Sequence, residues 1–403
     1  MTVDNAAPSP FTETTGTARH AALAALTDSG PVQRLTLFTG QPVWLVTGYA
    51  EAREVFAHPA MARSRQAVPH RDVLPADLSA AMYTNLLTSN PPEHTRLRKL
   101  VTAAFTVRRI ETLRPGIQEI TDGLLDDLER TGADGSPVDL VAAFGYPLPI
   151  TVIAELLGVP VDDRDAFRGW SSVIVNASMR PADTYLRAAE DMVAYVRGLI
   201  SDKRRTPADD LLSALIQVHD GGDRLSEDEL SSMVFLLLVA GHETTVNLIS
   251  GAAYALLSRP EQMRLVRAEP DRLPAVIEEQ LRHDGPKQVP VPSVATAPIT
   301  VGGVTIPAGD VVMPALLAVN RDPARFAEPD RFDATRAAAP HLAFGHGLHH
   351  CLGAPLARLE GVIAVGSLVR RFPELRLADP DTEPERLLSL LLNGIASLPV
   401  TVS

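Results

Sequence analysis

The feature that most constrains the fold is a long apolar segment with well-marked ends, residues 226–258. Apolar residues recur through it at the spacing of helix faces, which predicts a single long α-helix. Ser226 and Glu229 have the spacing of a capping box, in which each side chain bonds to the other residue's backbone, and this predicts where the helix begins. Arg259-Pro260 predicts its end. A chain with such a helix is expected to be rich in helix.

The rest of the chain divides near residue 284 into a helical part and a more irregular part. Helical spacing predicts further helices over residues 95–105, 115–130, 184–202, 260–268, 273–283 and 354–371. Alternating patterns with turn residues predict two β-hairpins, at 32–38 with 43–46 and at 299–301 with 304–306. We therefore expect a mainly α fold with a small β region (α+β), with a flexible N-terminus over 1–20 and a single domain over 21–403.

Composition and charge exclude several classes of protein. With 45% hydrophobic and 21% charged residues, the 403-residue chain can bury a large core. The net charge of −12 argues against a nucleic-acid-binding surface. The N-terminus has no basic segment followed by an apolar core, and the apolar runs fall short of the roughly 20 residues of a membrane span. We expect a cytoplasmic protein without a membrane segment or a nucleic-acid partner.

Cys351 is the only cysteine, and glycines surround it. A lone thiol can form no internal disulfide and no multi-cysteine metal cage. It can act as a nucleophile or as the single thiolate ligand of a metal, and an inert buried cysteine is the alternative. The glycines predict a backbone that bends sharply and approaches a flat group closely.

The loop around this cysteine is similar, at every fixed position, to the signature of the cytochrome P450 family. The matching residues are Phe344, Gly347, His349, Cys351 and Gly353. The resemblance implies that Cys351 is the axial thiolate of haem b and that the other four residues belong to the haem site. A thiolate ligand donates electron density to iron and favours O–O cleavage. The helix that follows at Ala354 is expected to stabilise the anionic sulfur.

A polar interruption lies in the middle of the long helix, at residues 240–245. A glycine and polar groups at that depth cost stability unless something compensates. In the resembled family this helix crosses the oxygen-binding face of the haem. By that resemblance, Glu243 and Thr244 are the catalytic acid and alcohol that relay protons, and Ala240 and Gly241 leave room for oxygen. The alternative is an interruption that only serves helix packing.

His94 and Arg98 are four residues apart at the start of a predicted helix, and thus share a face. The resemblance places them on the haem propionates together with His349. A solvated basic face is the alternative, and it accounts for Arg96 and Lys99. The chain departs from the family at Ser293, where an arginine usually reaches a propionate. That propionate is then left to water, to His94 and Arg98 alone, or to an arginine from elsewhere.

Glu279 and Arg282 are three residues apart and can form an ion pair on one helix face. Any surface helix can contain such a pair. Their position about 70 residues before the cysteine resembles the Glu-x-x-Arg pair of the family, which is structural. By the same resemblance, Arg331 is the third member of that network.

The resemblance covers nearly the whole chain and implies a triangular helical prism, with haem between the long central helix and the cysteine loop. The expected activity is a monooxygenase that inserts one atom of O2 into a C–H or C=C bond. Electrons are expected from NAD(P)H through a separate ferredoxin and its reductase, since neither a reductase domain nor an N-terminal anchor is recognised; the enzyme is expected to be a monomer. Oxidative coupling or dehydrogenation, peroxide-driven oxidation and an inactive haem sensor or docking module are the alternatives.

Four segments are implied to line the substrate pocket: 68–87, 170–179, 290–294 and 390–395. They are mainly aliphatic, with Met82, Trp170 and Met179 among them. This composition favours a bulky apolar or amphipathic substrate from secondary metabolism, such as a macrolide, polyketide, terpenoid or steroid. Ordinary core residues are the alternative. Arg96, Arg108 and Arg109 are candidates for a basic face that docks an acidic ferredoxin.

Overall fold

A computed structural model describes residues 9–64, 73–104, 106–160, 163–217 and 224–402 of the chain. The helices are α1 (Gly16–Asp28), α2 (Tyr49–Ala57), α3 (Ala76–Tyr83), α4 (Glu93–Ala104), α5 (Val107–Thr112), α6 (Arg114–Thr131), α7 (Pro147–Leu157), α8 (Arg164–Val175), α9 (Ala182–Arg205), α10 (Leu211–Gln217), α11 (Glu227–Leu257), α12 (Pro260–Ala268), α13 (Leu273–Asp284), α14 (Leu316–Val319) and α15 (Ala354–Arg371). The strands are β1 (Val32–Thr36), β2 (Pro42–Val46), β3 (Met61–Arg63), β4 (Val138–Asp139), β5 (Ser293–Ala295), β6 (Ile299–Val301), β7 (Val304–Ile306), β8 (Val311–Pro314), β9 (Arg376–Leu377) and β10 (Pro399–Thr401). The prediction of a mainly α fold with a small β region is confirmed.

The long helix α11 has 31 residues and forms the centre of the molecule. Its predicted start is confirmed, because Ser226 Oγ accepts from the Glu229 N–H and the Glu229 carboxylate accepts from the Ser226 N–H. α11 is long and apolar enough to cross a membrane. Here α3, α7, α9, α13 and α15 pack around it. It is therefore the central core helix.

Both predicted hairpins are confirmed, as β1 with β2 and as β6 with β7. The larger sheet has the strand order β1-β2-β8-β5-β3. Its edge strand β3 pairs antiparallel with β5, which places Arg63 directly opposite Ser293. This register joins a segment near the N-terminus to the segment that follows α13.

The first helix begins within the segment predicted to be flexible, at Gly16. Phe11 and Arg19 are fully buried. Arg19 Nη1 donates to Asn393 Oδ1 at 2.7 Å, so α1 is bound to the C-terminal loop. Residues 1–8 of the predicted flexible segment lie outside the described residues.

A buried ion-pair network holds the irregular segment before the cysteine loop. Glu279 and Arg282 form a two-point ion pair at 2.8 and 2.9 Å, and both side chains are buried. The third member is Arg336, whose Nε lies 3.1 Å from Glu279 Oε1. The prediction of Arg331 in this role is wrong: its exposed side chain lies near Glu328 and Asp333. Only its backbone carbonyl takes part, accepting from Arg282 and Arg336.

Candidate active site

A cavity of about 250 Å³ lies where α11, α4 and the loop before α15 meet. It brings together nine of the eleven predicted site residues: His94, Arg98, Ala240, Gly241, Thr244, Phe344, His349, Cys351 and Gly353. Glu243 and Gly347 do not line it. Predicted site residues from three separated parts of the sequence therefore meet at one place.

The Cys351 loop turns tightly so that the sulfur opens onto the cavity. Gly345 and Gly347 have φ of 74° and 69°, which favour glycine, and a Cβ on Gly347 would lie 3.1 Å from the Phe56 carbonyl oxygen. The Cys351 N–H donates to the Phe344 carbonyl at 2.9 Å, closing the loop. The thiol has accessible surface only because it faces the cavity space, with protein around it on the other sides.

Two opposing effects act on the Cys351 thiol. Burial is the larger effect and raises its pKa. The backbone N–H groups of Gly353 and Ala354, at the start of α15, oppose that rise by hydrogen bonding to the sulfur, and the cations Lys287 and Arg98 oppose it by their charge. The predicted stabilisation by the helix N-terminus is thus present at these two N–H groups.

His94 and His349 form an edge-to-face pair with ring centroids 4.4 Å apart. Both ring nitrogens of the fully buried His94 have no hydrogen-bond partner within the described part of the chain. Burial lowers the pKa of both rings, to about 3 for His349, where Arg63 and His94 add to the effect. Both imidazoles are therefore neutral. One ring nitrogen of His349 is hydrogen-bonded to the Leu86 backbone, whereas the N–H of His94 is left to donate into the cavity. Buried donors of this kind require an acceptor.

Arg98 joins α4 to the cysteine loop. Its Nη1 and Nη2 donate to the carbonyl oxygens of Leu348 and His350, at 3.1 and 2.9 Å. The guanidinium also lines the cavity. It therefore both braces the loop and carries positive charge to the predicted propionate site. His350 lines the cavity as well, and the structure gives it no further role.

Arg63 is a cavity residue that no sequence motif indicated. Its Nη1 donates to Ser293 Oγ at 3.0 Å and to the Val291 carbonyl oxygen. Burial lowers the pKa of the guanidinium to about 10, and no carboxylate of the described residues opposes this shift. A buried cation without an acid partner is costly. The arginine lies beside the position where the family usually has its own, because β3 pairs with β5.

The predicted acid and alcohol point in different directions from α11. Thr244 lines the cavity, and its Oγ1 donates to the Ala240 carbonyl oxygen at 3.0 Å. The Glu243 carboxylate lies 3.5 Å from Nε2 of the buried His242, with 12% of its side chain exposed. Thr245 also lines the cavity, and its Oγ1 donates to the Gly241 carbonyl oxygen at 3.4 Å.

Close packing between α7 and α11 favours glycine at position 241. A Cβ at this position would lie 3.0 Å from the side chain of Ile153 on α7. Ile153 itself lines the cavity. The absence of a side chain on Gly241 therefore lets α7 pack closely against α11 at the cavity wall.

Glu360 is a second cavity residue that the sequence did not single out. It is fully buried on α15, and its Oε2 has no partner among the described residues. Burial raises its pKa well above the ordinary value. The side chain is therefore a neutral carboxylic acid and adds no negative charge to the cavity.

The cavity wall matches the predicted pocket segments only in part. Residues lining it from those segments are Leu86, Leu87, Pro290 and Val291. No described side chain of segments 170–179 and 390–395 belongs to the lining: Trp170 packs against Tyr195 instead, and Met179 is exposed. Residues 68–72 lie outside the described residues. Leu236, Leu237 and Leu316 supply further apolar wall.

Comparison with known proteins identifies the family. The sequence model described as Cytochrome P450 matches residues 172–396. The vitamin D(3) 25-hydroxylase of Pseudonocardia autotrophica is 47% identical over 95% of this chain and 93% of its own length. The chain belongs to the cytochrome P450 family.

Other cytochrome P450 proteins align over the same extent. The mycinamicin IV hydroxylase/epoxidase of Micromonospora griseorubida is 41% identical over 97% of both chains. A myxobacterial cytochrome P450 solved in complex with myristic acid has a TM-score of 0.88 and 39% identity, over 95% of this chain and 96% of its own. The named relatives are bacterial P450 hydroxylases and epoxidases, and the P450 fold is shown. This protein is a cytochrome P450 monooxygenase.

The cavity residues fit the haem that defines this family. In the parts of the chain that the structure describes, no three His, Cys, Asp or Glu side chains are arranged to hold a metal ion. Cys351 can therefore coordinate iron only if a cofactor supplies the remaining ligands. The unpartnered N–H of His94 and the cations Arg63 and Arg98 suit the two carboxylates of such a cofactor. The donor set thus matches haem at both its iron and its propionates.

Proposed function

We propose that this cytochrome P450 inserts one atom of O2 into a bulky apolar or amphipathic molecule of secondary metabolism, by hydroxylation or epoxidation. The observation that carries the proposal is the shared cavity, which joins the Cys351 sulfur to the Thr244 hydroxyl of the central helix. Named relatives act on vitamin D(3) and mycinamicin IV, which supports a bulky apolar substrate. Electrons reach the cytoplasmic enzyme from NAD(P)H through a separate ferredoxin and its reductase.

Each group of the cavity then has a defined task. Haem b, held by the Cys351 thiolate, supplies the iron that activates O2. The Gly353 and Ala354 N–H groups hold negative charge on the sulfur. His94, His349, Arg98 and Arg63 bind the propionates. The leucines of the wall exclude water and hold an apolar substrate.

Glu243 and Thr244 transfer protons between solvent and the cavity. The Thr244 hydroxyl donates to Ala240, which leaves its oxygen lone pairs facing the cavity to accept a proton or a hydrogen bond. Glu243 immediately precedes Thr244 and is partly exposed, so its carboxylate can exchange protons with solvent. This pair favours reductive use of O2 over peroxide-driven oxidation.

The predicted ferredoxin-docking face has less free positive charge than its sequence suggests. Arg96 donates to the carboxylates of Glu93 and Glu229. Arg109 lies 3.8 Å from Asp209. Arg96 therefore links α4 to the start of α11 through ion pairs, and the proposed docking surface does not include it.

Thr244→Ala is expected to uncouple reduction from product formation. With NAD(P)H, ferredoxin and reductase, the variant should consume reductant but release hydrogen peroxide, because the hydroxyl that positions protons is missing. Product formation should fall by a factor on the order of 100, the usual range for a lost proton-transfer group. The measurement is product formed per NAD(P)H consumed, with a substrate found by its spin-state shift.

Thr245→Ala is the matched control, since it removes a neighbouring hydroxyl from the same cavity. It should leave the coupling ratio near that of the wild type, and Thr244→Ser should restore most of it. Equal coupling in Thr244→Ala and the wild type, or better turnover with peroxide alone than with the ferredoxin system, would contradict the assignment.

Arg63→Ser should release haem faster than the wild type, by about tenfold or more, as expected when a charged hydrogen bond is lost. The measurement is the rate of haem transfer from the holoenzyme to an excess of an apo haem-binding protein. Adding Ser293→Arg should restore slow release, since the two side chains face the same point across β3 and β5. Arg34→Ser, which changes an exposed arginine in strand β1, is the control. Unchanged release in Arg63→Ser would exclude Arg63 from the propionate site.

A further inference from the structure

Lys287 is a charged residue on the wall of an otherwise largely apolar cavity. Its backbone is held rigidly, because it forms a β-bridge with Leu392. The next residue, Gln288, is fully buried, and its N–H donates to the Leu391 carbonyl at 2.9 Å while its side chain donates to the Leu392 carbonyl at 3.0 Å. The C-terminal loop therefore fixes the point from which the Lys287 side chain enters the cavity.

No carboxylate within the described ranges pairs with the Lys287 amine. Burial, the largest effect, lowers its pKa to about 8; the Cys351 sulfur raises it and Arg63 lowers it. The only acid among the described residues that line the cavity is Glu360, which burial keeps neutral. The Cys351 thiolate is the one anion that favours the ammonium, and its charge is taken up by iron when haem is bound. Burying a cation without an anionic partner is costly, so in the holoenzyme the position is expected to gain its partner from a ligand.

The haem propionates already have their cations. Haem brings two carboxylates, and Arg63 and Arg98 bring two guanidinium groups to the same cavity, beside His94 and His349. A guanidinium is the better carboxylate partner, because its N–H groups form a fork that matches two oxygens. Lys287 is the third cation of the lining and stays uncompensated after both propionates are paired.

We propose that Lys287 binds a carboxylate of the substrate, so that this enzyme oxidises an apolar acid in preference to the corresponding neutral molecule. The apolar remainder of such an acid would lie along Leu86, Leu87, Leu236 and Leu237. Because Lys287 lies on a rigid segment, it would hold the substrate carboxylate at a fixed point. The distance between that carboxylate and the carbon that is oxidised would then be fixed as well. The inference rests on the proposed function, since it takes the cavity to hold both haem and substrate.

The probe for this proposal is imidazolyl-dodecanoic acid, compared with its methyl ester. The imidazole of either compound binds haem iron, so binding appears as a shift of the haem absorption band whether or not the compound is a substrate. The wild-type holoenzyme should bind the acid at least about tenfold more tightly than the ester, as expected for one buried charge-assisted hydrogen bond. Lys287→Met should bind the two equally well, and Lys287→Arg should keep the preference.

Lys99→Met is the matched control, because it removes the same charge from an exposed position of α4 and should leave the preference unchanged. Equal binding of acid and ester by the wild type would overturn the proposal. So would an unchanged preference in Lys287→Met, and faster haem release from that variant would then assign the lysine to a propionate. Failure of the proposed function is recognised separately, since the reduced CO complex of the wild type would then lack the absorption of a thiolate ligand.

Discussion

Cys351→Ser is expected to abolish monooxygenase activity while leaving the fold in place. A serine hydroxyl is not ionised at neutral pH and cannot replace a thiolate as an electron-donating ligand of iron. Turnover should fall by at least about three orders of magnitude, equivalent to ~4 kcal/mol of barrier. The measurement is product formation with the ferredoxin system, together with the spectrum of the reduced CO complex, which should lose its thiolate absorption.

The control for this variant is His350→Gln, which changes the residue before the cysteine and leaves the sulfur and its two N–H donors in place. It should keep the thiolate spectrum and most of the activity. Substantial turnover by Cys351→Ser would mean that the sulfur is not the ligand on which the chemistry depends.

Glu279→Gln is expected to be the most destabilising single change in the scaffold of the site. Glu279 is buried between Arg282 and Arg336, and neutralising it leaves two guanidinium groups without their carboxylate. Removing one partner of a buried ion pair typically costs about 3–5 kcal/mol. The measurement is the urea midpoint of the holoprotein, followed by helix content and by haem absorbance, and both should shift to lower urea together.

The choice between Arg336 and Arg331 as the third member is tested by the same assay. Arg336→Met should shift the midpoint strongly, because its guanidinium lies 3.1 Å from Glu279. Arg331→Met should cost no more than about 1 kcal/mol, as is usual for an exposed ion pair. A larger effect of Arg331→Met than of Arg336→Met would contradict the observed network.

Features defined by neighbouring residues could be predicted from the sequence. The capping box at Ser226 depends on residues three apart, and the turn between β6 and β7 depends on two adjacent glycines. The Cys351 loop is a continuous pattern, so its residues were predicted together. Local physical chemistry decides each of these structures.

Features that depend on distant pairing could not be predicted. Arg63 reaches Ser293 across 230 residues through the register of β3 and β5. Arg19 is buried because Asn393, 374 residues later, accepts its hydrogen bond. Neither arginine has a local pattern that distinguishes it from a solvated one. The same holds for Lys287, whose neighbours in sequence indicate an irregular segment and not a cavity wall.

The most direct test of the account is the absorption spectrum of the reduced wild-type holoenzyme with carbon monoxide. Cys351 is the only cysteine, and its sulfur faces the cavity that His94, Arg98 and Thr244 also line. We predict the absorption maximum that is typical of a haem–CO complex with a thiolate ligand. A maximum at the position typical of histidine or nitrogen ligation, in protein that retains its helix content, would contradict the central claim that Cys351 ligates the haem iron.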